Sequence, residues 1–206
     1  MTSTSKLLRS AGGKRDRIHS LDLGDGDPLA NAPADPALLY TLDEIATLVK
    51  PLMGVDAPRD DGGRILEVRP KGHWFEFEVA RRLGYHYPPG SGLFPDLRHQ
   101  LFEVKHHTGK SVTIDFGHHH PGSEVVIDAR WNERTRVKVC DIRYLIALAP
   151  PPAHKVSVMV LATGAEINNI FGVSPTKTIK YQLGISNRWR ETHAGQILVS
   201  GGVFSG

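Results

Sequence analysis

Cysteine is nearly absent from this chain of 206 residues, which has one, Cys140. An intramolecular disulfide is therefore excluded, and a reducing cytoplasm is the expected compartment. Long apolar runs are missing too. No stretch approaches the ~18 consecutive apolar residues of a membrane helix, and the N-terminus carries no signal-peptide core, so no membrane partner is expected. A glycine-rich Walker loop is also lacking, which argues against a nucleotide cofactor and against dependence on ATP. Neither charge dominates: 25 Lys and Arg stand against 22 Asp and Glu, for a net charge of +3 and an isoelectric point near 9.0. That mild excess is compatible with a polyanionic partner without requiring one. With 40% hydrophobic residues, the chain can bury a sizeable core as one compact domain. Cys140 lies in Val137-Lys-Val-Cys-Asp-Ile142 and reads as a small core residue rather than a nucleophile.

The most informative stretch that is present runs from Phe94 to Lys105. It places Pro95-Asp96, then six residues, then Glu103-x-Lys105. The segment Leu101 to Val104 is short, apolar and ended by Gly109, which predicts a strand. On a strand Glu103 and Lys105 share one face, while Phe102 and Val104 take the other. Six residues suffice for a tight hairpin that returns Asp96 to Glu103, so two carboxylates and an ammonium would meet. Hard oxygen donors of this kind suit Mg²⁺, which keeps sites for water and phosphate oxygens. An adjacent lysine can orient or deprotonate a water. The plain alternative is a surface hairpin with a Glu/Lys ion pair.

These residues resemble the PD-(D/E)xK nuclease superfamily, which includes most type II restriction endonucleases. The resemblance spans about Gly72 to about Ile167 and takes in an upstream helix, Gly72-His-Trp-Phe-Glu-Phe-Glu-Val-Ala-Arg-Arg-Leu-Gly84. Family members often carry a glutamate on this helix that completes the metal site, and Glu76 and Glu78 are the candidates. At roughly 100° per residue, Glu76 falls close to the Phe75/Val79/Leu83 stripe. Glu78 faces Arg81 and Arg82 at i+3 and i+4, as on a solvated ion-pair face. Glu76 is therefore the expected inward residue, and Gly84 the helix stop.

Elsewhere, 1–36 is rich in Gly, Ser, Asp and Pro with a basic cluster at Lys14-Arg15-Asp16-Arg17, and is expected to be a mobile arm. Asp22 to Asp27 matches half a calcium loop, but no closing glutamate follows, and a solvated loop is expected. Thr41-Leu-Asp-Glu44 is a capping box opening a helix through about Met53. Val55 to Arg64 reads as a polar linker, and Ser111 to Phe116 as a strand. His118, His119 and His120 invite a zinc site, yet consecutive histidines cannot converge on one ion from an extended segment. A zinc site that uses fewer than all three, a loop offering donors to phosphates or base edges, and an ordinary polar loop all stay open. Ile142 to Ala149 and Val156 to Ala162 are near-continuous apolar runs, the pattern of strands buried on both faces. Arg130, Arg134, Arg136 and Lys138 flank Trp131. Lys177, Lys180, Arg188 and Arg190 accumulate with Tyr181 and Trp189, in keeping with either a nucleic-acid surface or a solvated face over core aromatics.

The resulting expectation is an α/β restriction-endonuclease-like domain, a central mixed β-sheet flanked by helices. It would occupy 37–206, with a catalytic core at about 72–167 and C-terminal recognition elements. The resemblance implies catalysis by Asp96, Glu103, Lys105 and Glu76, with Mg²⁺ (or Mn²⁺) on Asp96, Glu103 and Glu76. Double-stranded DNA would be contacted by Lys110, His118, His120, Arg130, Arg134, Lys177, Arg188 and Arg190. The implied activity is that of a type II site-specific endonuclease leaving 5′-phosphates, working as a homodimer because two-fold DNA asks for two-fold protein. The alternatives are a repair or junction nuclease of the same fold and a non-catalytic nucleic-acid-binding module. Retention of Asp96, Glu103 and Lys105 speaks against the last.

Overall fold

A computed structural model describes residues 16–17, 38–85, 94–97, 100–114, 119–132, 135–173 and 181–206. In chain order the elements are β1 (Asp16–Arg17), β2 (Leu38–Leu39), α1 (Leu42–Val49), α2 (Val68–Arg82), β3 (Phe102–His107), β4 (Ser111–Ile114), β5 (Val126–Asn132) and β6 (Thr135–Lys138). They continue with β7 (Arg143–Leu148), β8 (Val158–Thr163), α3 (Gly164–Ile170), β9 (Gly172–Val173), β10 (Tyr181–Gly184), α4 (Asn187–Thr192), β11 (Ile197–Val199) and β12 (Gly202–Val203).

The central sheet has five strands in the order β12-β11-β8-β7-β3. It is mixed: β3 runs parallel to β7 and β8 parallel to β11, while β7 pairs antiparallel with β8 and β11 with β12. Every residue of β7 and β8 is buried, as their sequences, apolar apart from the terminal Arg143 and Thr163, require of strands covered on both faces. On one face lie α1 and α2, through Ile45, Val49, Phe75 and Val79 against Phe102, Val104, Leu145 and Leu161. On the other lie α3 and the small antiparallel sheet β4-β10-β9, through Ile167, Val112 and Leu183 against Tyr144, Ile146 and Val160. Cys140 is buried in the short 3₁₀ turn before β7. Among the described residues no helix is long and apolar enough to cross a membrane.

Local chemistry explains the helix ends. Thr41 and Glu44 form the reciprocal capping box of α1, at 3.1 and 2.9 Å. The helix stops at Val49, earlier than the periodicity suggested, and continues only as a 3₁₀ turn over Lys50–Leu52. Pro51 has no amide hydrogen to extend an α-helix and favours this break. In α2, Gly72 costs about 1 kcal/mol of intrinsic helix stability. Burial of Phe75 and Val79, both inaccessible to solvent, offsets it at about 1.5–3 kcal/mol for each side chain. Gly84 follows with φ of 86°, a left-handed stop that needs no side chain. Near the N-terminus, Asp16–Arg17 pairs antiparallel with Leu38–Leu39, so part of the expected arm is tied to the domain. The half calcium loop and 115–118 lie outside the described residues.

Candidate functional site

β3 is an edge strand of the central sheet, and its open side carries the site. Leu97 and Phe102 form an isolated antiparallel bridge, with amide-to-carbonyl distances of 2.9 and 3.2 Å. One step along, the strand has no further backbone partner there among the described residues, and the Asp96 carboxylate accepts from the Val104 amide instead, at 2.8 Å to Oδ2. The Asp96 amide donates to Glu103 Oε2 at 2.9 Å. The Glu103 carboxylate thus holds the backbone of Asp96, the Asp96 carboxylate holds that of Val104, and the hairpin read from the spacing of Asp96 and Glu103 is present.

Lys105 Nζ stands 2.5 Å from Glu103 Oε1, and the two side chains are only 16% and 2% exposed. Burial pushes the Glu103 carboxyl pKa up, Lys105 pulls it down, and Asp96 pushes it up again. Tyr144, in register with Glu103 on β7, has a fully buried hydroxyl with no hydrogen-bond partner among the described residues. Burial, and then Glu103, drives its ionisation upward.

Glu76 reaches this cluster from α2. Its pKa is raised to about 7 by burial and then by Asp96, with Lys105 opposing. His73 Nδ1 lies 3.6 Å from it, one turn earlier. Glu78 instead pairs with Arg81 at 2.7 Å. The helix therefore turns Glu76 to the site and leaves Glu78 to its i+3 arginine. His106, also on β3, packs its ring 5.2 Å from Phe75. Burial, assisted by Lys71, lowers its pKa to about 4, so it brings no positive charge at neutral pH.

Three carboxylates supply hard oxygen donors of the kind that suits Mg²⁺ or Mn²⁺. As placed, Glu103 is committed to Lys105 and to a backbone amide. Among the described residues no three His, Cys, Asp or Glu side chains are grouped to hold an ion. The donor chemistry fits the ion, while the side chains do not converge on one point.

The raised Glu76 pKa has a consequence for stability. Because its folded value of about 7 exceeds the ordinary 4.5, its contribution is full below pH 4.5 and is lost as pH rises through 7. Above pH 7 the ionised group opposes folding. Glu76→Gln is expected to stabilise the metal-free protein at pH 8 by on the order of 1–2 kcal/mol, after allowing for solvent screening of a partly exposed group. At pH 4 the gain should vanish. Urea titrations in EDTA across this range would read it, and a gain independent of pH would show that ionisation is not the cause.

The expected DNA-contacting residues are dispersed. Lys110 is exposed on the β3–β4 turn, and its carbonyl accepts from the Ile185 amide at 2.8 Å. Arg190 of α4 donates to the Gly109 carbonyl at 3.4 Å and to Asn187, while Arg188 is exposed. Lys110 and Arg190 therefore lie together just after β3 ends, with Arg188 on the same short helix as Arg190. His120 is apart from them: its ring meets Asn168 at 2.8 Å, accepts from the Gly122 amide at 2.9 Å and lies 4.8 Å from Tyr181. Trp189 packs 4.9 Å from Phe171 and 4.3 Å from His193, partly buried against the core. Its ring is thereby a packing element rather than an open stacking platform. Arg130 lies on β5, and its side chain, like His118, Arg134 and Lys177, is outside the described residues.

Residues missed from the sequence include Arg143 and Gln100. Arg143 is 1% exposed, Gln100 is fully buried, and the guanidinium donates to the Gln100 carbonyl and side chain. A cation at the head of the apolar run 142–149 was the available signal. Comparison with known proteins found no matching family model, curated protein or solved structure.

Proposed function

We propose that this chain is a Mg²⁺-dependent DNA endonuclease of the restriction-endonuclease-like class, acting as a type II site-specific enzyme. The observation that carries the reading is the meeting of Asp96, Glu103 and Lys105 at one sheet edge, with Glu76 close enough for both Asp96 and Lys105 to move its pKa. Asp96, Glu103 and Glu76 would hold the ion, which would supply charge stabilisation at phosphorus and a more acidic bound water. Lys105, largely shielded from solvent, would orient the attacking water and face the negative charge that develops on the phosphate. Glu76 would be needed for activity, so Glu76→Ala should lower the cleavage rate at least tenfold. Glu78→Ala should leave it nearly unchanged, since Glu78 is paired with Arg81, whose side chain is 56% exposed, and a solvent-facing helical ion pair is worth little. The reverse ranking would mean that the other glutamate serves the site.

Lys110, Arg188 and Arg190 would supply phosphate contacts beside the strand that carries Glu103 and Lys105. Replacing Lys110 or Arg188 with Ala should weaken duplex binding and make log Kd less salt-dependent by about one unit of slope per lost contact. An unchanged affinity at low salt would place the DNA elsewhere. A homodimer would match a palindromic site. The second reading, a nuclease recognising DNA structure, uses the same site residues. Incubation with a sequenced plasmid and a panel of branched duplexes separates them. Discrete fragments with 5′-phosphates from linear duplex support the restriction reading, and cleavage confined to junctions supports the other.

A further inference from the structure

We infer that Arg143 is a positioning residue that fixes Asp96 against Glu103 by clamping the turn between them; its catalytic consequence rests on the nuclease reading above. The entry to β3 is unusual in its backbone. Leu101, the residue before the strand, is fully buried and has φ of 47°. A branched residue enters that left-handed region only when its surroundings hold it there.

Arg143 supplies that hold from the neighbouring strand. Its amide donates to the Leu101 carbonyl at 2.8 Å. Its Nε and Nη2 both donate to the Gln100 carbonyl, Nη2 also reaches Gln100 Oε1 at 3.3 Å, and Nη1 donates to the Tyr40 carbonyl. Gln100 Oε1 in turn accepts from the Tyr40 amide at 2.9 Å. The guanidinium also lies 5.8 Å from the centre of the Phe102 ring. One planar cation thus joins β7, the approach to α1 and both residues that precede β3.

No carboxylate of the described residues forms a salt bridge with Arg143. Burial of an arginine without an ion-paired acid is costly, and here the backbone carbonyls of Gln100 and Tyr40, with the Gln100 side-chain oxygen, satisfy it. The planar fork is what lets it serve two carbonyls at once, which a lysine ammonium on a flexible stem cannot reproduce. Gln100 and Leu101 lie directly before the strand that carries the Asp96-to-Glu103 and Val104-to-Asp96 bonds, so loosening them would separate the two carboxylates before it disturbed β7.

The test uses the full chain with Arg143→Lys and reads amide hydrogen exchange without metal, then cleavage against Mg²⁺ concentration. Exchange at Asp96 and Val104 should rise at least tenfold, while Leu145 and Val160 in the sheet centre keep their protection. The Mg²⁺ concentration for half-maximal cleavage should rise at least tenfold, with the rate recovering to within a few fold at saturation and duplex affinity in Ca²⁺ unchanged. Unchanged protection at Asp96 and Val104 would overturn the clamp. So would a cleavage rate reduced equally at all Mg²⁺ concentrations. A wild-type protein that never cleaves, combined with local loosening in the variant, would uphold the clamp and remove only the nuclease reading. Should Arg143→Lys not fold, Gln100→Ala removes the Oε1 bridge to Arg143 and Tyr40 while keeping the arginine. It should raise exchange at the same two amides, and no rise there would count against the clamp equally.

Discussion

Glu103→Gln and Asp96→Asn are each expected to abolish Mg²⁺-dependent cleavage, with a loss of about 10³ or more in single-turnover rate. Both substitutions remove a negative charge from a proposed ion ligand while keeping an oxygen that can accept a hydrogen bond. That choice matters here, because each carboxylate also serves the backbone: Asp96 accepts from the Val104 amide and Glu103 from the Asp96 amide. Asp96→Ala would leave the Val104 amide unpaired at a cost of about 1–3 kcal/mol, and lost activity would then be mixed with a loosened hairpin. The isosteric changes separate the two effects. Thermal unfolding should show both variants folded, and duplex binding in Ca²⁺ should persist. Cleavage by either variant at the wild-type rate would remove that residue from the site.

Lys105→Ala should slow the chemical step by roughly 10² or more while reducing duplex affinity by about one phosphate contact. The reasoning is geometric. Lys105 Nζ sits 2.5 Å from Glu103 Oε1 in a pocket that leaves only 16% of the lysine side chain exposed. A cation held there interacts most strongly with charge that appears in the transition state, and such an interaction affects rate more than binding. Its loss also leaves Glu103, 2% exposed, without its neighbouring positive charge, so the carboxyl pKa should rise further. The pH at which cleavage becomes half-maximal should consequently shift upward in the variant. Single-turnover cleavage at saturating protein, paired with a binding isotherm in Ca²⁺, measures both effects. Wild-type rate at saturation with weaker binding would make Lys105 a backbone clamp instead.

Local patterns carried much of this arrangement, and long-range ones did not. The alternation Phe102-Glu-Val-Lys105 assigned opposite faces correctly, since Phe102 and Val104 pack with α2 while Glu103 and Lys105 turn away. Helical spacing likewise paired Glu78 with Arg81, but it did not foresee that the Glu78 side chain, 20% exposed, would be nearly as buried as that of Glu76 at 15%. The capping box at Thr41 and the continuous apolar strands β7 and β8 are equally local. What could not be read is that β3 pairs in parallel with β7, about 40 residues on, rather than with the next strand β4. That pairing makes β3 an edge, and its open side is where Asp96 substitutes for a strand partner. β11 and β12, of three and two residues, are too short for any periodicity. Arg143 reads as an exception within an apolar run, and its partners Tyr40 and Gln100 lie 103 and 43 residues away. Only the fold brings them together.

The central claim is that Asp96, Glu103 and Lys105 form a phosphodiesterase centre that works with a divalent ion. Its most direct test is single-turnover cleavage of linear duplex DNA containing many random sequences, with purified wild-type protein and Glu103→Gln, in Mg²⁺, in Mn²⁺ and in EDTA. The account predicts fragments with 5′-phosphate ends from the wild type in either metal, none in EDTA and none from Glu103→Gln. Equal cleavage by Glu103→Gln, or no cleavage by the wild type of this DNA or of branched duplexes in either metal, would contradict it.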